Sequence, residues 1–470
     1  MVFRILKKNE STSHEKVGRI SMEFCQHYSR HFIRSGMNSV KHATHYVSGL
    51  MGTQRRKNIE TIENDVSGSD YQGMEQFISS SPWSHREVMD DVARDANELL
   101  GDAKEAGFYI DESSFLKKGN ASVGVQRQWC GRAGKVENCQ VAVFGCLGNA
   151  ERYAITDFQL YLPKEWAGDP ARCRKARVPE ENQVYRPKWR QALEMVRHAR
   201  SLGLEFGFVG CDSLYGSNAL FTNALEDAGE YFMGDVNKST RVWLSEPLIE
   251  APSQKKGQSG RPRKHSRLHP GNTAQEVSVE SLVKEQNEES FEAISFRQGE
   301  KGEVCGRFWM REIWHWEKGE HAARKRLLLV RKDVDGSLKY SLTNLPGGKP
   351  LKYYARIQGQ RYWIEHAFHE AKSQLGMAQY QVRVWGGWHH HMALVSMALL
   401  FTAKYKAEVK EQTPLLTARD ITELLAYYLP RRNKDEAEVH ERIRIRHRKR
   451  QEDRERRKRH KTGIPPDLTK

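Results

Sequence analysis

Three things are in short supply in this 470-residue chain. The first is cysteine. Cys25, Cys130, Cys139, Cys146, Cys173, Cys211 and Cys305 form no CxxC pair. Their odd number and scatter exclude a disulfide framework or a cysteine-built zinc site and fit reduced thiols in a cytoplasm. The second is a long apolar run. The longest, MALVSMALLF over 392–401, is interrupted by Ser396; it is too short to cross a bilayer and reads as a buried helix. The first residues, MVFRILKKNEST, lack the apolar region of a signal peptide, so a cytoplasmic location without a membrane partner is expected. The third is acid: 60 Asp and Glu stand against 76 Lys and Arg, a formal charge of +16. An excess that large favours a polyanionic partner, of which nucleic acid is the commonest. A basic enzyme acting on other substrates stays open on composition alone. What is present is 38% hydrophobic residues, enough for a real core, in a length that predicts roughly two to four domains. No internal repeat is visible.

Residues 1–100 read as polar helices, with Asp70 a candidate N-cap before Met74, Phe77 and Ile78. Arg55, Arg56 and Lys57 stand at a turn entering another helix. The expectation is a compact helical DNA-binding domain, with a structural helical cap as the alternative. Strand patterns follow in AGFYIDESSF, VQRQWCGR, NCQVAVFGCLG and RYAITDFQLYLP. WRQALEMVRHARSLG is an amphipathic helix, LEFGFVGCDSLYG an apolar strand ending at Asp212, LFTNALEDAG a helix, and EYFMGDVN a strand. From 251 to 272 six Lys or Arg stand with no acid among Gly, Pro and Ser, as in a flexible basic loop. Short strands fill 291–345, a helix covers RYWIEHAFHEAK, and another, mostly buried one begins at GGWHHHMAL. The tail, 431–461, has fifteen Lys or Arg against seven acids and reads as an exposed helix. The boundaries expected are 1–100 (DNA binding), 101–238 (first part of a catalytic core), 239–345 (β-rich insertion with the basic loop), 346–410 (last part of the core) and 411–470 (basic helical region).

Asp111 is read at the end of the first strand, Asp212 at the end of a later one, and Glu365 on a helix after the last. Ile364, Ala367, Phe368 and Ala371 make the apolar face of that helix, and Glu365 lies at its edge, where an unpaired carboxylate is costly. Arg361 and Lys372 flank it. A solvated salt-bridge face is the plain alternative. Three carboxylates around one point repel each other and need a cation. Hard divalent ions with oxygen ligands, Mg²⁺ or Mn²⁺, fit best. Two of them about 3.5–4 Å apart would clamp an in-line phosphoryl displacement. Arg361 could grip phosphate as a bidentate fork and Lys372 as a point charge.

The segments IDESSFLKKG (110–119), GVQRQWCGRAGKVENCQVAVF (124–144), VGCDSLYG (209–216), RYWIEHAFHEAKSQLG and YQVRVWGGWHHHMAL (361–394) together resemble the DDE transposases of bacterial insertion sequences, in the cut-and-paste group with a β-rich insertion before the catalytic Glu. The likeness extends over roughly residues 45–400. It implies an α/β fold with a ribonuclease-H-like mixed-sheet core, and Asp111, Asp212 and Glu365 as catalytic residues and ligands of two Mg²⁺ or Mn²⁺ ions. It also implies double-stranded DNA (element ends and target) as partner, and a homo-oligomer holding two ends in the bacterial cytoplasm, at the nucleoid. The signature Y-x2-R-x3-E-x6-K is matched by Arg361, Glu365 and Lys372, but Gln358 stands where the Tyr belongs. That puts the phosphate contact of the Tyr in doubt. A DNA-binding protein that has lost catalysis, and a metal nuclease without strand transfer, are the rival readings.

Other signals are weaker. Glu112 neighbours Asp111, but strand alternation points the two to opposite faces. Lys117 and Lys118 are candidates for DNA-backbone contact or a solvated pair. His389, His390 and His391 cannot all ligate one ion, because successive helical residues point about 100° apart; packing is expected. Asp157 and Asp169 have no register with the triad. GRPRK, with Arg261 and Arg263, resembles a minor-groove hook or is merely a basic loop. Arg-rich 442–459 is read as binding phosphates, with a merely charged tail as the alternative. Among Trp309, Trp314 and Trp316, alternation puts the last two on one face. The resemblance implies that an insertion Trp stacks a flipped base; which of the three does so stays open, Trp314 is counted among the DNA-binding candidates, and core packing is the alternative.

Overall fold

A computed structural model describes residues 17–462 except 54–55, 253–264, 300–301, 319, 412, 414, 430 and 433–434. Arg55, Arg261 and Arg263 therefore lie outside the described residues. Twelve strands form one mixed sheet: β1 (Asp102–Leu116), β2 (Gln126–Cys130), β3 (Lys135–Asn149), β4 (Arg152–Leu160), β5 (Phe206–Cys211), β6 (Phe232–Val236), β7 (Arg241–Trp243), β8 (Glu276–Ser278), β9 (Glu292–Gly299), β10 (Gly302–His315), β11 (Arg324–Lys332) and β12 (Leu338–Thr343). The core runs β4-β3-β1-β5-β6. It is antiparallel through β4, β3 and β1, then parallel from β1 through β5 to β6. That is the mixed sheet expected of a ribonuclease-H-like fold. β12 pairs antiparallel with β6, so the 239–345 segment continues the same sheet through β11 and β10.

The strand sequences explain why this sheet is covered on both faces. In KRLLLVRK, Leu327 and Leu329 join the main core, while Leu328 and Val330 join a second cluster with Val242, Val279, Leu282, Trp309 and Ile313. A strand buried on both faces reads as a continuous apolar run, not an alternating one. The same holds for the core strands. Val141 to Leu147 in β3 are all buried.

The N-terminal helices are not a body of their own. Tyr28, Val47, Phe77, Val92 and Ala96 share one apolar cluster with the core strands and with the helix Trp385–Glu408. That helix is buried on nearly all sides from Gly387 to Ala403, as expected for a helix apolar all round. No described helix is long and apolar enough to cross a membrane. Asp70 does cap the helix Tyr71–Ser79, accepting from the Gly73 amide at 2.6 Å. The basic tail forms the helix Glu436–Thr462, anchored just before its start by Arg431 pairing with Asp65 and Arg432 with Glu63.

Two expectations are corrected here. Asp111 does not end its strand. β1 continues to Leu116 against β3, and what ends beside Asp111 is the parallel pairing to β5, at Ile110 and Cys211. Trp314 and Trp316 do not form one strand face, because β10 ends at His315. Trp316 lies edge-on to Trp243, 5.9 Å between ring centres, and Trp309 is core.

Candidate active site

Because β1 and β5 are parallel neighbours paired up to Ile110 and Cys211, the next residues of each, Asp111 and Asp212, emerge side by side. The turn after Asp212 is compact. Its carboxylate accepts from the Leu214 amide at 3.0 Å and caps the short helix Ser213–Gly216. Gly216 then lies directly on β6. A Cβ on Gly234 would come within 2.8 Å of the Gly216 Cα, and one on Gly216 would run into the Asp235 backbone. Two glycines thus let the Asp212 turn close onto the strand that carries Asp235.

Glu365 arrives from the other side on the helix Tyr362–Ser373. Ile364, Ala367, Phe368 and Ala371 are all buried there, as the sequence predicts, and Glu365 keeps half its side chain in solvent. Arg361 is not inside this helix. It is the junction between it and the helix Leu351–Gln360, and from there its guanidinium reaches Glu365 (2.7 Å), Asp235 (3.0 Å) and Asp111 (3.7 Å). Asp111, Asp212, Asp235, Arg361 and Glu365 line one open cleft of about 670 Å³. The sequence did not single out Asp235, a lone acid in an otherwise apolar strand. Lys238 and Lys339, also lining that cleft, were missed as well.

The electrostatics are those of buried carboxylates set close together. Burial, and then Asp212, push the Asp111 carboxyl up to about 8. Burial pushes Asp212 up to about 6, with Arg361 opposing. Glu112 pairs with Lys188 at 2.5 Å, and its charge adds to the upward push on Asp212. A hard divalent cation fits this donor set: oxygen ligands only, two of them holding protons too tightly for ordinary carboxylates. As they stand, no three acidic, His or Cys side chains among the described residues converge closely enough to hold one; the Arg361 guanidinium lies between them.

The remaining predicted cations divide. Arg56 and Lys118 are exposed. Lys57 is withdrawn from the DNA-binding set, because its ammonium is buried and donates to the carbonyls of Leu50 (2.6 Å), Gly52 (2.5 Å) and Gln374. Burial lowers it to about 7. Lys117 lies over the Tyr380 ring at 3.4 Å and is likewise lowered to about 7 by burial. Lys372 is partly buried between Phe115 and Phe368, lowered by burial and by Arg132. Trp314 sits opposite Trp243 and Lys325 and lines neither cleft beside the carboxylates. His389, His390 and His391 bond to the Trp385 carbonyl, to the Ile78 and Trp83 carbonyls and to the Tyr46 hydroxyl, as packing residues. Asp157 pairs with Arg86, and Asp169 caps the helix Pro170–Lys175.

Residues 32–303 match the family model described as DDE superfamily endonuclease. The match covers more than half of the chain and includes Asp111 and Asp212, and the chain belongs to that superfamily. It is also similar to a curated protein of Microchaete diplosiphon named "Probable transposase for insertion sequence element IS701". The two are 23% identical over 365 residues, covering 77% of this chain and 81% of that protein.

Proposed function

We propose that the chain is an insertion-sequence transposase that binds the terminal inverted repeats of its element, hydrolyses a terminal phosphodiester and joins the freed 3′-OH to target DNA. The observation that carries this reading is the gathering of Asp111, Asp212 and Glu365 around Arg361 in one open, acid-lined cleft of a strongly basic chain.

Asp111, Asp212 and Glu365 would hold Mg²⁺ or Mn²⁺, two ions per site. When bound, the metal supplies a lowered pKa for the attacking hydroxyl and charge neutralisation at the leaving oxygen. The chain's own residues do the positioning. Arg361 presents the two amino groups of its guanidinium as a fork for a non-bridging pair of phosphate oxygens. Lys372, Lys339 and Lys238 place further positive charge along the backbone path, and Glu365, half exposed, stands at the edge DNA enters. Two element ends must be held together for joining, so the working form is a homo-oligomer on DNA.

The test is a cleavage and joining assay on duplexes carrying the terminal sequence that flanks the gene. Wild-type protein with Mn²⁺ is expected to nick the end and join its 3′-OH to a second duplex. Glu365→Gln is expected to bind the same duplex and lose at least about a hundredfold in cleavage. Near-normal cleavage by Glu365→Gln would sink the carboxylate assignment. Cleavage without joining would make the chain a nuclease.

A further inference from the structure

Asp235 has no part in the triad, yet it links the arginine of the cleft to the sheet. It lies opposite Ser341 in the β6–β12 pairing. Its Oδ1 accepts from the Ser341 hydroxyl at 2.7 Å, and its Oδ2 accepts from Arg361 Nε at 3.0 Å. Ser341 in turn accepts from Gln358 Nε2 at 2.8 Å. Gln358 is buried, and its Oε1 has no hydrogen-bond partner. A chain of three polar side chains therefore ties the Nε edge of Arg361 to the sheet. The other edge of the guanidinium faces Glu365 and Asp111. A guanidinium cannot shed its charge. A divalent cation entering this cleft must therefore meet a resident positive charge among its own ligands, while a DNA phosphate competes with those carboxylates for the same edge of the guanidinium.

We propose that Asp235, backed by Ser341 and Gln358, is a positioning residue that acts as the pivot of Arg361. Held at Nε, the guanidinium covers the carboxylates in the DNA-free protein and turns its other edge to a phosphate when duplex binds, so that DNA and divalent cation bind cooperatively. This rests on the transposase reading through its carboxylate set. It also gives Gln358 a task where the signature has Tyr: it braces the pivot from the helix that precedes Arg361.

The test is Mn²⁺ binding to the full chain, followed by electron paramagnetic resonance, without DNA and with a duplex of the gene-flanking terminal sequence. Coupling of this kind is reciprocal and typically about 5–150-fold. Wild-type protein is expected to bind Mn²⁺ about tenfold or more tightly with DNA than without. Arg361→Gln is expected to bind it about tenfold more tightly than wild type without DNA, and to respond little to added DNA. In the Arg361→Gln background, Asp235→Asn is expected to leave Mn²⁺ affinity within about twofold, whereas Asp111→Asn abolishes it. If Arg361→Gln binds Mn²⁺ no more tightly than wild type, the pivot is wrong and the carboxylate site stands. Loss of Mn²⁺ on Asp235→Asn in that background makes Asp235 a ligand, which also overturns the proposal. If Asp111→Asn leaves Mn²⁺ binding untouched, the site reading fails and takes the pivot with it. Should Arg361→Gln not fold by thermal melting, Arg361→Lys serves: it keeps the charge, removes the Nε anchor, and is expected to abolish the DNA-dependent tightening.

Discussion

Asp111→Asn exposes the strain of the acid cluster most directly, because it removes charge while keeping shape. In the metal-free fold the Asp111 carboxyl is pushed up to about 8 and Asp212 to about 6; in the unfolded chain both return to about 3.9. A carboxyl raised by folding binds its proton more tightly in the native state. Its contribution to stability is complete below the unfolded value and is lost as pH rises through the folded one. Between pH 5 and 7.5 one such proton costs about 1.4 kcal/mol per pH unit, or about 3 kcal/mol in all. At about 2.1 cal/mol/K per residue, unfolding of a chain this long carries an entropy of about 1 kcal/mol/K, so the change is worth about 3 °C in Tm. The expected result is a divergence: metal-free wild-type protein loses about 3 °C more than Asp111→Asn between pH 5 and 7.5. Adding Mn²⁺ at pH 7.5 should raise Tm in wild type and leave the variant unmoved. Differential scanning calorimetry at several pH values measures both. Parallel pH curves for the two proteins would refute burial of Asp111, beside Asp212, as the cause of its raised carboxyl.

Three further perturbations have defined outcomes. Arg326, almost fully buried, donates to both oxygens of Glu226 and to Asn223; Arg326→Ala is expected to destabilise by about 3–5 kcal/mol in urea unfolding, and a loss under about 1 kcal/mol would mean the ion pair is solvated. Lys57→Met leaves three carbonyls unpaired and is expected to cost roughly 1–3 kcal/mol while the salt dependence of DNA affinity stays as in wild type; a flatter salt slope would return Lys57 to the DNA surface. Deleting 436–462 is expected to lower that slope by about 0.9 for each phosphate the helix neutralises, and an unchanged slope removes the helix from the binding surface.

What can be read from this sequence follows the range of the interactions. Elements set by local pattern were legible: the LLLV run of β11, the Asp70 cap, and the 364/367/368/371 stripe that fixes which way Glu365 points. The two aspartates were also legible, since each closes an apolar strand pattern, although the parallel pairing, not the end of β1, is what stops beside Asp111. Side chains whose role is made by distant partners were not legible. Lys57 looks like a surface cation among Arg55 and Arg56. It is buried because the chain around Gln374, more than three hundred residues on, presents a carbonyl to it. Asp235 looks like one acid in GDV. It becomes part of the site only when β12 pairs with β6 and sets Ser341 opposite it. Gln358 shows the same thing from the other side: judged by the signature it is a departure, but in the fold it is the far end of the chain that holds Arg361. The β-rich segment between Asp212 and Glu365 thus supplies the strand that completes the acid cleft, and its first structural effect on the site is through Ser341, not through its tryptophans.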